Sequence, residues 1–216
     1  MAAPGSSLLT SWIMRIGGHP DAFGVLSPLI ALSVIRAVES LAPDAVVGFK
    51  WPNDVLIDER KVAGILLSSR PSHDSAVVIA GIGVNIDVPV GDVPEPRAAL
   101  REWVPGVTVD GLRDRIAFEL GRTWEVYRAY GVIPPEARRE LETRLVWRDH
   151  QVEVRLPNGG ISGQIVGLDR DGALRLRRLD DGSVETLHVG EIERGPRRVR
   201  VEPTDPCRIL PGASGT

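Results

Sequence analysis

The sequence predicts an α+β protein: a mixed β-sheet flanked by helices, followed by a small β-barrel. Three observations carry that prediction. The first part of the chain mixes short apolar runs with one long pattern of three- and four-residue apolar steps. Beyond Trp147 the texture changes to short strands separated by turn signals. And 216 residues, 43% hydrophobic and 25% charged, suffice for one good core plus a smaller second unit.

Ser7 to Ile16 is short and apolar and is expected to be a buried strand. Leu26, Leu29, Ile30, Val34, Ala37, Val38 and Leu41 then fall on one helical face, with Pro43 just beyond as a stop. Val46 to Lys50 is a strand. Val55 to Ile57 and Val62 to Leu67 flank the polar turn Asp58-Glu59-Arg60 and predict a hairpin. That hairpin puts Lys61 at the start of the return strand and Gly64 across from Asp54. A glycine there lets a ligand approach the backbone. "AVVIAGIGVNI", Ala76 to Ile86, is the most strand-like run, and its glycines mark a bulge or a close-approaching ligand. Asp87 to Pro105 is loop, and helices follow over Val109 to Tyr130 and Pro135 to Val146, the second opened by Pro134-Pro135.

After Trp147, short strands are expected at Gln151 to Leu156, Ile161 to Leu168, Ala173 to Leu179 and Ser183 to Val189. The intervening "PNGG", "DRDG" and "DDG" are turn sequences. Five or so short strands in this space predict a barrel. The expected organisation is a first domain over 1–147, a barrel over 148–202 and a disordered tail over 203–216.

Composition excludes several classes. A net charge of −3 and a pI near 5.9 argue against a general nucleic-acid binder. Arg194, Arg197, Arg198 and Arg200 along one terminal strand are expected to form a solvated edge. The single cysteine, Cys207, allows neither an internal disulfide nor a CxxC metal site. His19, His73, His150 and His188 are scattered without metal-ligand spacing. No run reaches the ~18 apolar residues of a membrane span, and Met1 to Gly5 lacks the basic start of a signal peptide, so a cytoplasmic protein is expected.

Chemistry concentrates in "FKWPNDVLIDERKVAGIL". Of the 26 basic side chains only Lys50 and Lys61 are lysines. Lysine offers a compact, mobile point charge where arginine offers a broad planar fork. Pro52 breaks the strand and should present Asn53 and Asp54 on a tight bend. An Asn supplies two donors and an acceptor for a base or ribose edge, and an Asp can bind a metal ion or a hydroxyl. "PND" alone is an ordinary turn, a lone surface Lys a solvated charge, and "GIGVN" alone a bulged core strand. Their joint appearance at strand ends points to a site.

"KWPNDV", "RKVAGIL" and "GIGVNI" together resemble the central domain of biotin–protein ligases, also called biotin–[acetyl-CoA-carboxylase] ligases. Upstream, "PGSSLLTSWIMR" is similar to the strand after that family's glycine–arginine loop. Downstream, "GISGQIVGLDRDGALRLRRLDDGSVETLHVGEI" is similar to its SH3-like C-terminal barrel. The resemblance implies the class II synthetase-like fold of the biotin/lipoate ligase superfamily. It implies that ATP and biotin react to biotinyl-5′-adenylate and that biotin passes to a lysine of a biotin carboxyl carrier domain. Lys61 would bridge the biotin carboxylate and the α-phosphate. Asn53, Asp54, Gly64, Gly83 and Asn85 would hold the nucleotide, with Asp54 near its Mg2+. Lys50 would steer phosphates or close the strand.

The family's GRGRxGR loop would stand just before the first residues given, so the resemblance implies either a start placed too late or an N-terminally shortened relative. The apolar first strand would then be an exposed edge, through which a homodimer is expected. The family's optional DNA-binding helix-turn-helix is likewise not in the sequence, so no DNA partner is expected, and no membrane. A lipoate ligase and a non-catalytic carrier-binding module are the alternatives.

Overall fold

The computed structural model describes residues 5–17, 23–71, 73, 75–88 and 95–194. The expectations for His19, Cys207, Arg197, Arg198, Arg200, residues 195–202 and the 203–216 tail lie outside them.

The first sheet is built from β1 (Ser7–Gly17), β2 (Val47–Lys50), β3 (Asp54–Ile57), β4 (Arg60–Pro71) and β5 (Ser75–Asn85), in the order β1-β5-β4-β3-β2. Every strand pair in it is antiparallel, so the expectation of a mixed sheet is corrected. The cause is the length of the connections. β2 through β5 follow one another through short links, and only an antiparallel partner can be reached that way. β3 and β4 are joined by Asp58 and Glu59, whose φ angles of 48° and 61° match a primed two-residue hairpin turn.

β1 is not a wholly buried strand, as its apolar run suggests. Leu8 and Ile16 are buried while Leu9 and Ile13 are 79% and 74% exposed. β1 is the outer strand of the sheet, and only its inner face meets the helices.

On that inner face lie three helices, α1 (Phe23–Leu41), α2 (Val109–Tyr130) and α3 (Pro135–Arg144). α1 packs against β2, β3 and β4 on one side and α2 and α3 on the other. Its residues from Leu29 to Ile35 are all buried, and the Ser33 hydroxyl bonds to Thr123 Oγ1 at 2.7 Å. Residues Gly24–Leu41, with a mean hydropathy of 1.6, are long and apolar enough to cross a membrane. That corrects the expectation that no such segment exists. Here 67% of that stretch is buried inside the protein, as the central helix of a core. α3 buries only Ala137 and Leu141, and two ion pairs add to its hold on α1. Arg36 reaches Glu140 at 2.9 and 2.5 Å, and Arg144 reaches Glu39 at 2.7 and 2.9 Å.

The second sheet comprises β6 (Gln151–Leu156), β7 (Gly159–Leu168), β8 (Leu174–Arg178), β9 (Val184–Leu187) and β10 (Glu191–Arg194), antiparallel in the order β10-β6-β7-β8-β9. Its β7–β8 turn, the "DRDG" segment, docks on the first unit. Pro28 has no N–H to offer the Gly24 carbonyl one turn back. Gly172 lies against that carbonyl at φ 86°, and a Cβ there would come within 2.5 Å of the Gly24 oxygen. The Gly172 carbonyl in turn accepts from Trp51 Nε1 at 3.1 Å. A buried tryptophan, a proline and a glycine thus join the two sheets immediately beside the "WPND" bend.

Candidate active site

Two neighbouring rows run across the first sheet, and their contrast defines the site. Phe49, Val55, Ala63, Val84 and Leu8 are cross-strand partners, each no more than 4% exposed, and they form the core face. One residue along, the row reads Lys50, Asp54, Gly64, Gly83 and Leu9, directed to the opposite face. The Asp54–Gly64 pairing matches the register expected from the hairpin.

Lys61 joins this second row by an irregularity. Residues 61 and 64 are three apart, and in a regular strand they would face opposite ways. The register shifts between Val55 and Leu56, so that Val55 pairs with Ala63 but Leu56 with Lys61, and Val62 is left over. This bulge turns Lys61 onto the face of Asp54, the kind of re-aiming for which bulges occur beside sites.

Lys61 Nζ lies 2.6 Å from Asp54 Oδ1. The approach angle is poor for a hydrogen bond, and Oδ1 is buried without an aligned donor among the described residues. Both side chains press on Gly64: a Cβ there would sit 3.3 Å from Asp54 Oδ1 and 3.3 Å from Lys61 Cε. Gly64 keeps that space free.

A cavity of about 470 Å³ opens over this pair. Its floor is glycine: Gly64 pairs with Gly83, and Gly81 pairs with Leu66. Its walls include Asn53, Leu9 and Leu66, and Leu66 is 74% exposed. One end is therefore charged and polar, and the other is open, with the apolar Leu9 and Leu66 flanking the hydroxyl of Ser11.

The remaining expected residues are placed differently. Asn53 lines the cavity, but its Nδ2 already donates to the Ile65 carbonyl at 2.8 Å, bracing the bend. Asn85 does not line the cavity; its Nδ2 donates to the carbonyls of Lys61 and Ala98, each at 3.2 Å. Lys50 is 6% exposed and pairs with Glu95 at 2.7 Å. That pairing, ahead of the penalty of burial, holds the Glu95 carboxyl below the usual carboxylate range. Lys50 thus ties the end of β2 to a carboxylate 45 residues on.

Sequence reasoning missed Glu95 and Arg97, which lie in the segment expected to be plain loop. It also passed over Leu9, and it set Gly83 but not Gly81 among the site residues, although the two, two apart in a strand, necessarily share a face.

The cavity thus sets an ion pair beside a glycine floor on the open face of the first sheet. A profile of the biotin/lipoate A/B protein ligase family matches residues 3–85, and one of the biotin protein ligase C-terminal domain matches residues 149–195. A biotin–[acetyl-CoA-carboxylase] ligase from Paracoccus denitrificans is 31% identical over 81% of this chain and 75% of its own. The chain belongs to the biotin–protein ligase family. The bifunctional ligase/repressor BirA of Escherichia coli is 29% identical over 87% of this chain and 58% of its own. Its Bacillus subtilis counterpart is 26% identical over 79% of this chain. The chain spans 53% of the Bacillus subtilis relative, about half.

In fold, the chain is similar to the biotin protein ligase from Aquifex aeolicus in complex with biotin and ATP, with a TM-score of 0.68 and 23% identity. The match covers 86% of this chain and 77% of that one. It is equally similar to a biotin protein ligase-like protein of unknown function from Silicibacter, with a TM-score of 0.71 and 14% identity over 86% and 80% of the two chains.

Proposed function

We propose that this chain is an ATP-dependent ligase that forms biotinyl-5′-adenylate and transfers biotin to a lysine of a biotin carboxyl carrier domain. The observation that carries the reading is the Lys61–Asp54 pair at 2.6 Å, at the polar end of a glycine-floored cavity whose far end holds the apolar Leu9 and Leu66. Biotin has that shape, a carboxylate on an aliphatic chain.

In the first step a carboxylate oxygen attacks the α-phosphorus, the bond to the β-phosphate oxygen breaks, and pyrophosphate leaves. Two anions must meet, so a cation between them offsets their repulsion and stabilises the charge that develops. Lys61 is that cation. Asp54 positions its ammonium, and Asn53 turns its remaining amide atoms to the ligand. In the second step the neutral amine of the acceptor lysine attacks the anhydride carbonyl. The C–N bond forms, AMP leaves with the C–O electron pair, and the amine loses its proton.

Mg2+ fits this site as a passenger of the nucleotide. Asp54 supplies one hard oxygen, and among the described residues no group of three or more His, Cys, Asp or Glu gathers into a metal cluster. Phosphates and water would complete the shell, and the ion would neutralise phosphate charge when bound.

We further read the first unit as class II synthetase-like and the second sheet as an SH3-like barrel that braces the site. We expect the reaction in the cytoplasm, and we expect pairing along the β1 edge if the chain forms a homodimer. Biotin is favoured over lipoate by the match of residues 149–195 to the biotin protein ligase C-terminal domain.

The test is to incubate the chain with ATP, a carrier domain and either biotin or lipoate, following pyrophosphate release and acyl transfer. Biotin-dependent release with carrier labelling is expected. Turnover with lipoate alone overturns the substrate, and carrier binding without pyrophosphate release overturns the enzyme in favour of a binding module.

A further inference from the structure

Arg97 is the charged residue beside the site that none of the above uses. It stands on a short segment that runs parallel to the start of β4 and bridges to Lys61. Lys61 N–H donates to the Pro96 carbonyl and Ala98 N–H to the Lys61 carbonyl, both at 2.9 Å. Asn85 clamps the same two strands from below through its bonds to Lys61 and Ala98. Partners in a bridge direct their side chains to the same side. Arg97 is thereby held next to Lys61 on the same side of the sheet, just outside the residues that line the cavity.

Arg97 Nε is buried and lacks an acceptor among the described residues. A buried guanidinium N–H without an acceptor is uncommon and calls for an explanation, since its water has been stripped away. The nearby acids are already engaged: Glu95 with Lys50 at 2.7 Å, Asp54 with Lys61 at 2.6 Å and Glu102 with Arg60 at 2.8 Å. The charges of Lys61 and Arg97 both reach Glu95 through space, which places the two cations in one neighbourhood. Among the described residues, Lys50 pairs with Glu95 and Lys61 with Asp54, and no carboxylate forms an ion pair with Arg97.

We propose that Arg97 is a second ligand-facing cation beside Lys61, and that it binds the phosphate chain of the nucleotide with its planar fork. This rests on the reading that the site uses ATP. The division of labour follows from geometry. A point charge suits the crowded position over Gly64, where a carboxylate and a phosphate must both be touched. A fork suits an outer position facing two oxygens of one phosphate chain.

The experiment measures affinity for ATP and for adenosine, by calorimetry, in the unmodified chain and in Arg97→Ala, Arg97→Gln and Arg97→Lys. Arg97→Ala and Arg97→Gln should weaken ATP on the order of tenfold or more, with adenosine nearly unchanged. Arg97→Lys should recover part of the loss, and the melting temperatures should stay close to that of the unmodified chain. Arg97→Gln keeps the length without the charge and serves if the alanine variant does not fold. Equal loss for ATP and adenosine would mean that Arg97 stacks on the base, and it overturns the proposal, as does unchanged ATP affinity. An unmodified chain that binds no ATP overturns the underlying reading together with it.

Discussion

Replacing Lys61 separates its chemical task from its structural one. Lys61→Ala removes the cation and leaves Asp54, whose side chain is 11% exposed, as a carboxylate without its partner. A buried group left unpaired costs about 1–3 kcal/mol of stability. Loss of one preorganised charge-stabilising contact costs about 2.7–4 kcal/mol in the barrier, or a hundred- to a thousandfold in rate. Lys61→Arg tests shape at constant charge. Lys61 Cε and Nζ lie 3.3 and 3.4 Å from where a Gly64 Cβ would be, so the pocket around the ammonium is already close-fitting. A guanidinium must displace the ligand or tilt away from Asp54, and its rate should fall nearly as far as that of Lys61→Ala. The double variant Lys61→Met/Asp54→Asn should regain much of the lost stability without regaining activity. Pyrophosphate release with biotin and ATP gives the rate, and thermal unfolding gives the stability. Near-native release from Lys61→Arg would refute the role given to Lys61.

Gly172→Ala should loosen the two units, because φ 86° suits glycine and the new methyl would meet the Gly24 carbonyl. Strain of about 1–3 kcal/mol is expected from the backbone conformation alone, lowering the melting temperature by several degrees; an unchanged melting temperature would show that the turn is free to move. Acid stability follows from the carboxylates. Glu140 is held below the usual carboxylate range by its hydrogen bonds from Arg36, ahead of the opposing effect of burial. Its folded value lies below its unfolded one, so its contribution is full above about pH 4.5 and is lost as pH falls through the lowered folded value. Urea titrations from pH 6 down to 2 should show Glu140→Gln with a shallower acid loss, and a parallel slope would count against the Arg36–Glu140 pair.

Much of the first unit was legible because local chemistry dictated it. The apolar steps from Leu26 to Leu41 needed a helix, and the polar Asp58-Glu59 link between two apolar runs needed a hairpin. Once the hairpin was drawn, Asp54 had to meet Gly64, since antiparallel register follows from loop length. The family was legible for a related reason: its motifs are strand ends and turns whose residues lie close together in the chain. The edge position of β1 was expected, but its burial was overestimated, because a short apolar run looks the same in a central strand and in an edge strand whose outer face lines a cavity.

By itself, then, the sequence determined the elements, the hairpin register and the group of residues around Lys61. Tertiary structure decided the rest. The single extra residue at Val62 turned Lys61 onto the face of Asp54, and nothing in "RKVAG" announces a bulge. Lys50 met Glu95 across 45 residues, and Arg97 came beside Lys61 across a segment that read as loop. Asn85, a nucleotide contact by resemblance, gave its amide to two carbonyls. Each of these depends on which groups the folded sheet and its loops bring side by side, and that is a property of the assembled layers rather than of any stretch of chain.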